Sequence, residues 1–483
     1  MTFRLPPLLT ACAASALLAA CAVGPRAPDA SLPPSASGAF VSAPLGLNND
    51  AVSTAEARSD WWRLYADPTL DGLIEQAFAR NNQLEAAVAN LRAVRASLSE
   101  ARAGRLPTTN ANAAYSYGRQ SANAATIPGL PTTGEPLDET EVYDVGLDVA
   151  YEIDLFGRVG STIRAARADA DAQAAALDVI RVSVAAETAR AYADACSGNA
   201  QIAVAERSID LQSSTVDLTQ RLLEGGAGTG LDTARARSQL ATIAATLPTL
   251  RAQRDGALYR LATLTGVTPA QASAAARACV RPPQLSQPIP IGDGAALLAR
   301  RPDVRQAERA LAAAAARVNV ATAALYPTIS LGGAIGTTAA DAGDLGDDAS
   351  FNFSVGPLIS WSFPNILVAR ARIEAAGART DAALANFDQT VLTALQETET
   401  ALTNYANELD RRAALTEARD QAAEAARLAR LRFDAGADSF LTVLDADRTE
   451  ATADATLAQS EALVTTYQIS LFKALAGGWD QSA

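Results

Sequence analysis

Two hydrophobic periodicities divide the chain. From Val142 to Asp154, the apolar Tyr143, Val145, Leu147, Val149, Tyr151 and Ile153 alternate with Asp144, Gly146, Asp148, Ala150, Glu152 and Asp154. From Phe351 to Phe363, Phe351, Phe353, Val355, Ile359, Trp361 and Phe363 alternate with Asn352, Ser354, Gly356, Ser360 and Ser362. Residues 108–118 and 328–336 alternate more weakly. A period of two sends successive side chains to opposite faces, so these segments predict strands with one apolar and one polar face. Much of the rest repeats at three and four. Leu70, Leu73, Ala77, Leu84, Val88, Leu91 and Leu98 predict one helix from Pro68 to about Ala103, capped by Asp67. Very long helices are predicted over about 159–223 and 366–433, each roughly 100 Å at ~1.5 Å per residue. Glycine-bearing turns at 225–230 and 434–439 lead into return helices over about 232–264 and 441–475. Leu240, Ile243, Leu247, Leu250, Leu261 and Leu264 give the first return helix a heptad-like stripe, and Pro248 is expected to kink it.

The order of elements occurs twice. Gly226 and Gly436 occupy matching turns, Leu106-Pro107-Thr108 is echoed by Tyr326-Pro327-Thr328, and Phe156-Gly157 by Phe363-Pro364. This internal two-fold repeat divides the chain into a helix of the first repeat (67–105), a β-hairpin (106–154), a long helical hairpin (155–266) and a connection (267–300). The second copy follows as a helix (301–325), a hairpin (326–363), a helical hairpin (364–476) and a tail (477–483).

The first twenty residues carry one charge, Arg4, and a mostly apolar stretch from Leu8 to Ala20, the pattern of a secretory signal. Leu18-Ala19-Ala20-Cys21 resembles the lipobox of bacterial lipoproteins, which implies cleavage before Cys21 and its acylation. An ordinary signal followed by a free cysteine is the alternative. Ala22 is not the aspartate that retains many such lipoproteins in the inner membrane, so an outer-membrane address is expected, with 21–66 as a lipidated linker. No other segment is long and apolar enough for a transmembrane helix, so a further crossing has to use strands.

Composition narrows the chemistry. The chain has 483 residues, a formal charge of −13 and no histidine, which argues against nucleic acid as a partner and removes the commonest general base and metal ligand. It has no phosphate-binding glycine loop of the G-x-x-x-x-G-K-[ST] form and no C-x-x-C pair, so neither catalysis nor a cofactor is expected. There are 112 alanines, which suits closely packed helices.

Four amphipathic strands of about ten residues match the strands of transmembrane barrels, although a half-buried sheet in a soluble domain has the same period. Four strands leave two open edges, which bilayer hydrocarbon does not tolerate. Closure then falls to copies of the chain. Two copies give eight strands and a filled interior; three or four leave a polar lumen, faced by Asp144, Asp148 and Glu152, which would set a general cation preference.

Taken together, the residues resemble the TolC-like outer-membrane efflux factors, in particular the NodT-type lipoprotein branch. Cys21-Ala22-Val23-Gly24-Pro25, Trp61-Trp62, Asp67-Pro68, Asn81, Arg301-Pro302-Asp303-Val304-Arg305, Glu308, Tyr326-Pro327 and Gly477-Gly478-Trp479 carry the resemblance. It implies an α+β membrane protein: a trimeric, twelve-stranded transmembrane β-barrel with four strands per chain. This barrel would be continuous with a long periplasmic α-helical barrel of coiled-coil hairpins and a mixed equatorial region. It further implies a passive exit duct for drugs or other small molecules, working with a periplasmic membrane-fusion adaptor and an inner-membrane transporter of the resistance-nodulation-division class. The turns become adaptor-docking tips, with Gly226, Thr229, Leu231 and Asp232 in the first and Gly436, Leu441 and Leu444 in the second. Asp445 falls on a family gate position at the periplasmic entrance. Thr442 replaces a second gate aspartate, and Asp438 and Phe433 replace a latching arginine and tyrosine, so that latch does not transfer. The alternatives are a structural or adhesive coiled-coil lipoprotein and the channel of a type I protein secretion system.

Cys196 and Cys279 lie at similar distances from the first tip, reached along different helices, so a disulfide between them is feasible. Two separate thiols are the alternative.

Overall fold

The computed structural model of the protein describes residues 23–25, 28, 30–32, 36, 38–42, 51–119, 138–285, 287–362 and 365–477. The signal segment, Cys21, Phe363 and Gly478-Trp479 lie outside the described residues. The strands of the main sheet are β1 (Thr108–Gly118), β2 (Thr140–Ile153), β3 (Thr328–Ala339) and β4 (Phe351–Ser360). The principal helices are α1 (Pro68–Arg80), α2 (Asn82–Ala103), α3 (Arg158–Glu224), α4 (Gly230–Ala244), α5 (Thr246–Leu264), α6 (Pro302–Ala323), α7 (Ile366–Asp434) and α8 (Phe440–Ala474). The chain divides into two units, one of residues 1–29, 92–171 and 308–385, the other of residues 30–91, 172–307 and 386–483.

In the first unit the alternation becomes a sheet whose faces stay separate across every strand. The order is β1-β2-β3-β4, all antiparallel. Asp144 lies opposite Ala114 and Thr338, Asp148 opposite Asn110 and Ala334, and Glu152 opposite Ser330. Asn352 and Ser354 continue this polar face onto β4, where Leu358 is an exception. The other face holds Tyr115 against Tyr143, Leu147 against Ile335, and Ile335 against Phe353. A slip of one residue would exchange the two faces. Among the described residues no helix covers the apolar face: Phe353 is 71% and Val355 75% exposed. A soluble half-buried sheet would cover such a face, so that alternative fails. Among the described residues, β1 and β4 each have one edge unpaired. Next to the sheet, Leu98 of α2 packs on Val159, Ile163 and Ala170 of α3. Asp154 accepts the Val159 N–H at 2.9 Å and the Gly160 N–H at 2.6 Å, which satisfies free donors at the start of α3.

The second unit contains the largest core. Trp61 is fully buried and stacks on Phe472 at 4.7 Å between ring centroids. Leu70, Leu73 and Ile74 of α1, Leu258 and Leu261 of α5, and Ile469 and Leu471 of α8 join it. Ala185, Ala189 and Ala195 form a fully buried seam of α3, which is where the alanine content is used: small side chains let helices approach closely. Trp61 and Phe472 give the core the bulk that alanine lacks.

Three expectations change. The single helix predicted from Pro68 to Ala103 is two, broken at Asn81, whose backbone is extended at φ −72° and ψ 120°. The Asn81 side chain, 5% exposed, accepts from the N–H groups of Gln83 and Leu84 at 3.0 and 3.2 Å and donates to the Leu264 carbonyl at 3.0 Å. It caps one helix while tying the joint to α5. The return helix over 232–264 goes further than the kink expected at Pro248: it is two pieces divided at Ala245, since Pro248 cannot donate to the Ala244 carbonyl. The described part of the 21–66 segment is not a free linker. The Val41 and Ser42 N–H groups donate to Glu399 at 2.7 and 2.9 Å, Phe40 and Ala36 are buried, and Val52 pairs with Ile289 in a short parallel bridge. The long helices match closely, α3 covering 158–224 and α7 covering 366–434.

Asn81→Ala removes both the cap and the tie. It is expected to lower stability by about 1–2 kcal/mol, read as an earlier thermal transition of the detergent-solubilised protein by circular dichroism.

Candidate functional site

Three places hold the residues that sequence singled out. On the polar face of the sheet, Asn112 donates to one Asp144 oxygen at 2.9 Å, Thr338 donates to the other at 3.0 Å, and Asn352 donates to Thr338 at 3.2 Å. These contacts run from β1 through β2 and β3 to β4, so Asp144 is held from both sides as an acceptor. The period of two identified the face; Asn112, Thr338 and Asn352 as partners needed the register. Glu152 instead pairs with Arg158.

The tips are built alike. Gly226 and Gly436 adopt φ of +71° and +70°, the left-handed region that side chains avoid. In each, the next residue reaches back five positions: Ala227 N–H to the Leu222 carbonyl and Ala437 N–H to the Arg432 carbonyl, both at 2.8 Å. This closes the end of each long helix. The side chains differ. Thr229 accepts the Asp232 N–H at 3.3 Å and its hydroxyl donates to the Asp232 carboxylate at 2.6 Å. At the second tip Arg432 holds Asp438 through two contacts of 2.7 and 3.1 Å. Leu231 and Leu441 are exposed, whereas Leu444 is buried on the packed stripe of α8.

Asp445 is exposed and meets Arg448 of its own helix at 2.6 Å, a geometry that contributes little to stability. Two residues on, Asp447 is buried. It receives Arg430 of α7 at 2.7 Å and the Thr215 hydroxyl of α3 at 3.3 Å, while Arg430 also meets Glu450 at 3.1 Å. Asp447 thus joins both helical hairpins. Burial pushes its carboxyl above the usual range, and Arg430 and Thr215 oppose that shift. Sequence reasoning passed over this residue. The signal was there: Phe440, Val443, Leu444 and Asp447 fall at the spacing of one buried face. Gln212, Thr215 and Thr219 form a comparable buried polar stripe on α3.

Cys196 and Cys279 are bonded to each other, closing a loop with a sequence separation of 83. Nearby, the Asn199 side chain donates to the Arg277 and Cys279 carbonyls at 3.0 and 2.7 Å.

The family described as outer membrane efflux protein matches residues 73–267 and 295–477. The chain belongs to this family. Among its relatives, the pyoverdine export outer membrane protein OpmQ of Pseudomonas putida is 30% identical over 452 residues, 91% of this chain and 93% of that one. The outer membrane protein OprJ of Pseudomonas aeruginosa is 30% identical over 423 residues, 87% of each. The solved structure of the outer-membrane channel OprN aligns with a TM-score of 0.87 at 35% identity, covering 94% of this chain and 99% of that one. This outer membrane efflux protein is therefore an exit duct of the outer membrane, with the trimeric fold of its family. Four strands per chain form a third of a twelve-stranded barrel, and the edges of β1 and β4 are where neighbouring copies meet. The channels of this family are passive and need no cofactor.

Two outcomes follow from the buried groups. Asp447→Asn removes the titration. Because the folded pKa of Asp447 is raised, the native state binds its proton before the unfolded chain does, and mild acid stabilises wild type relative to the variant. The difference in melting temperature, wild type minus variant, should grow as pH falls through that raised value and level off below the ordinary carboxylate range. Paired Cys196→Ser and Cys279→Ser changes should cost about 4–5 kcal/mol in the chain-entropy picture, measured by denaturant unfolding.

Proposed function

We propose that this channel completes a tripartite pump with a periplasmic membrane-fusion adaptor and an inner-membrane transporter of the resistance-nodulation-division class, passing drugs or other small molecules. The observation that carries the reading is the sheet. One face is apolar and uncovered, the other is polar and held by hydrogen bonds, and both edges await a copy. Such a wall conducts water-soluble cargo through lipid and supplies no energy. The duct has no catalytic residue in this reading, and energy enters through the inner-membrane partner. Gly226, Thr229, Leu231, Asp232, Gly436 and Leu441 form the docking surface for the adaptor, with Leu231 and Leu441 offering exposed apolar contact. Leu444 supports that surface from within. A strain lacking the gene should accumulate more of the pump's substrates, and restoring the gene should reverse this; unchanged accumulation of every compound tried would refute the role.

Asp445, repeated around the threefold axis, forms the gate ring. Three like charges there attract cations, and multivalent cations block the entrance. Asp445→Ala should abolish block by multivalent cations in single-channel recordings, and unchanged block would discard the ring.

Cys21 carries the lipid that fixes the chain to the outer membrane. The sequence offers an unusual check: Lys473 is its only lysine. Amine labelling of the denatured mature protein should modify one group if the α-amino group of Cys21 is acylated. Two modified groups would mean a free amino terminus.

A further inference from the structure

We propose that Gly24 and Asn319 form a seat that holds the lipid-bearing start of the chain against α6, so that the anchor leaves the wall at one fixed place. The consequence for the lipid rests on the reading of Cys21 as acylated; the seat itself does not. Gly24 has φ +136°, and a Cβ built on it would lie 1.9 Å from the Asn319 side-chain oxygen, 2.6 Å from its Cγ and 3.1 Å from its Cα. The side-chain amide could turn away, but the Asn319 Cα belongs to the helix backbone and would have to give by a few tenths of an ångström. The torsion therefore favours glycine at position 24, and any side chain there has to displace Asn319.

The contact is close on both sides. The Gly24 Cα–H bond that would become Cα–Cβ points towards the Asn319 oxygen, a weak polar contact that only a residue without a side chain can make. That oxygen is buried with no hydrogen-bond partner among the described residues. An orphaned buried acceptor is costly, so its position beneath the N-terminal segment is a specific arrangement rather than incidental adhesion.

The seat lies at the membrane end of the first unit. Asn319 is four residues before the end of α6 at Ala323, about 6 Å of helix, and β3 begins at Thr328. Leu106, Trp361 and Leu367, which flank the sheet at this same end, are 64%, 55% and 79% exposed, as suits side chains at a bilayer interface. Cys21 is three residues before Gly24 and can lie no further than about 10 Å from it. Acyl chains on Cys21 then enter the periplasmic leaflet beside the sheet, among the phospholipids that line the barrel. If the next fixed point were instead Ala30, which packs against the cluster of Leu298, Phe387 and Val391, the intervening chain could let the anchor range over about 30 Å.

Arg26 supplies the test, since trypsin cutting after it releases the lipid-bearing hexapeptide and needs Gly24 lifted off α6 into the protease cleft. The experiment is limited trypsinolysis of the full-length mature trimer in detergent, with the Arg26 cut followed by mass spectrometry. Gly24→Val should be cut at Arg26 at least about tenfold faster than wild type, because the cut reports the population of the lifted segment. Asn319→Leu leaves the signal region untouched, fills the seat from the helix side and should give the same acceleration, with cuts elsewhere and trimer yield unchanged. Equal Arg26 rates in wild type and both variants would overturn the seat. The mass of the released hexapeptide answers the separate question: no acyl mass would defeat the reading of Cys21 while leaving the cutting rates decisive for the seat.

Discussion

Unpaired backbone in hydrocarbon is the constraint on which the structure depends. Each strand brings one amide N–H and one carbonyl per residue, and lipid offers neither a partner. Within the chain, β2 and β3 satisfy theirs on both sides, while β1 and β4 do so on one. Everything characteristic of the molecule answers the two remaining edges. Oligomerisation is therefore part of folding, not an addition to it. The apolar Phe353 and Val355 stay largely exposed in the single chain because their face turns to the bilayer. The polar face is internally bonded, from Asn112 through Asp144 and Thr338 to Asn352, which fixes the register that the faces require.

The helices meet a different constraint: reaching far without a thick core. Alanine seams such as Ala185, Ala189 and Ala195 bring helices close, and Gly198 comes closer still, where a Cβ would lie 2.9 Å from the Arg254 Cβ. Close packing of small groups yields little apolar burial per residue. Specific ties make up for it: the Trp61–Phe472 stack, the Cys196–Cys279 bond and the Asn81 joint, all in the second unit. The Asp447 cluster belongs with these. A charge buried between two hairpins is a poor source of stability and a good determinant of which arrangement forms.

Much of this was legible in the residues, and the exceptions have physical causes. Strands were readable because alternation over ten or more residues with charges on one side has no helical equivalent. The extents of α3 and α7 were readable because glycine turns ended both. The break at Asn81 was not, since Leu73, Ala77, Leu84 and Val88 keep helical spacing across it, and a capping asparagine looks like any surface asparagine. The docking of Val41 and Ser42 was hidden because it depends on backbone groups meeting Glu399, which leaves no side-chain pattern. At the candidate site, the glycines and Asp445 stood out by motif, whereas Asp447 and its partners required knowing which faces meet. Leu444 looked like surface and is core.

The duplicated turns have a consequence for stoichiometry. Three chains with two tips each present six helix ends of nearly identical backbone. Their chemistry alternates: an arginine clasp around Asp438 on one, a threonine-bridged Asp232 on the next. A partner that grips all six in the same way has to recognise main-chain shape. One that distinguishes odd from even has to read those acids, and would arrive in threes.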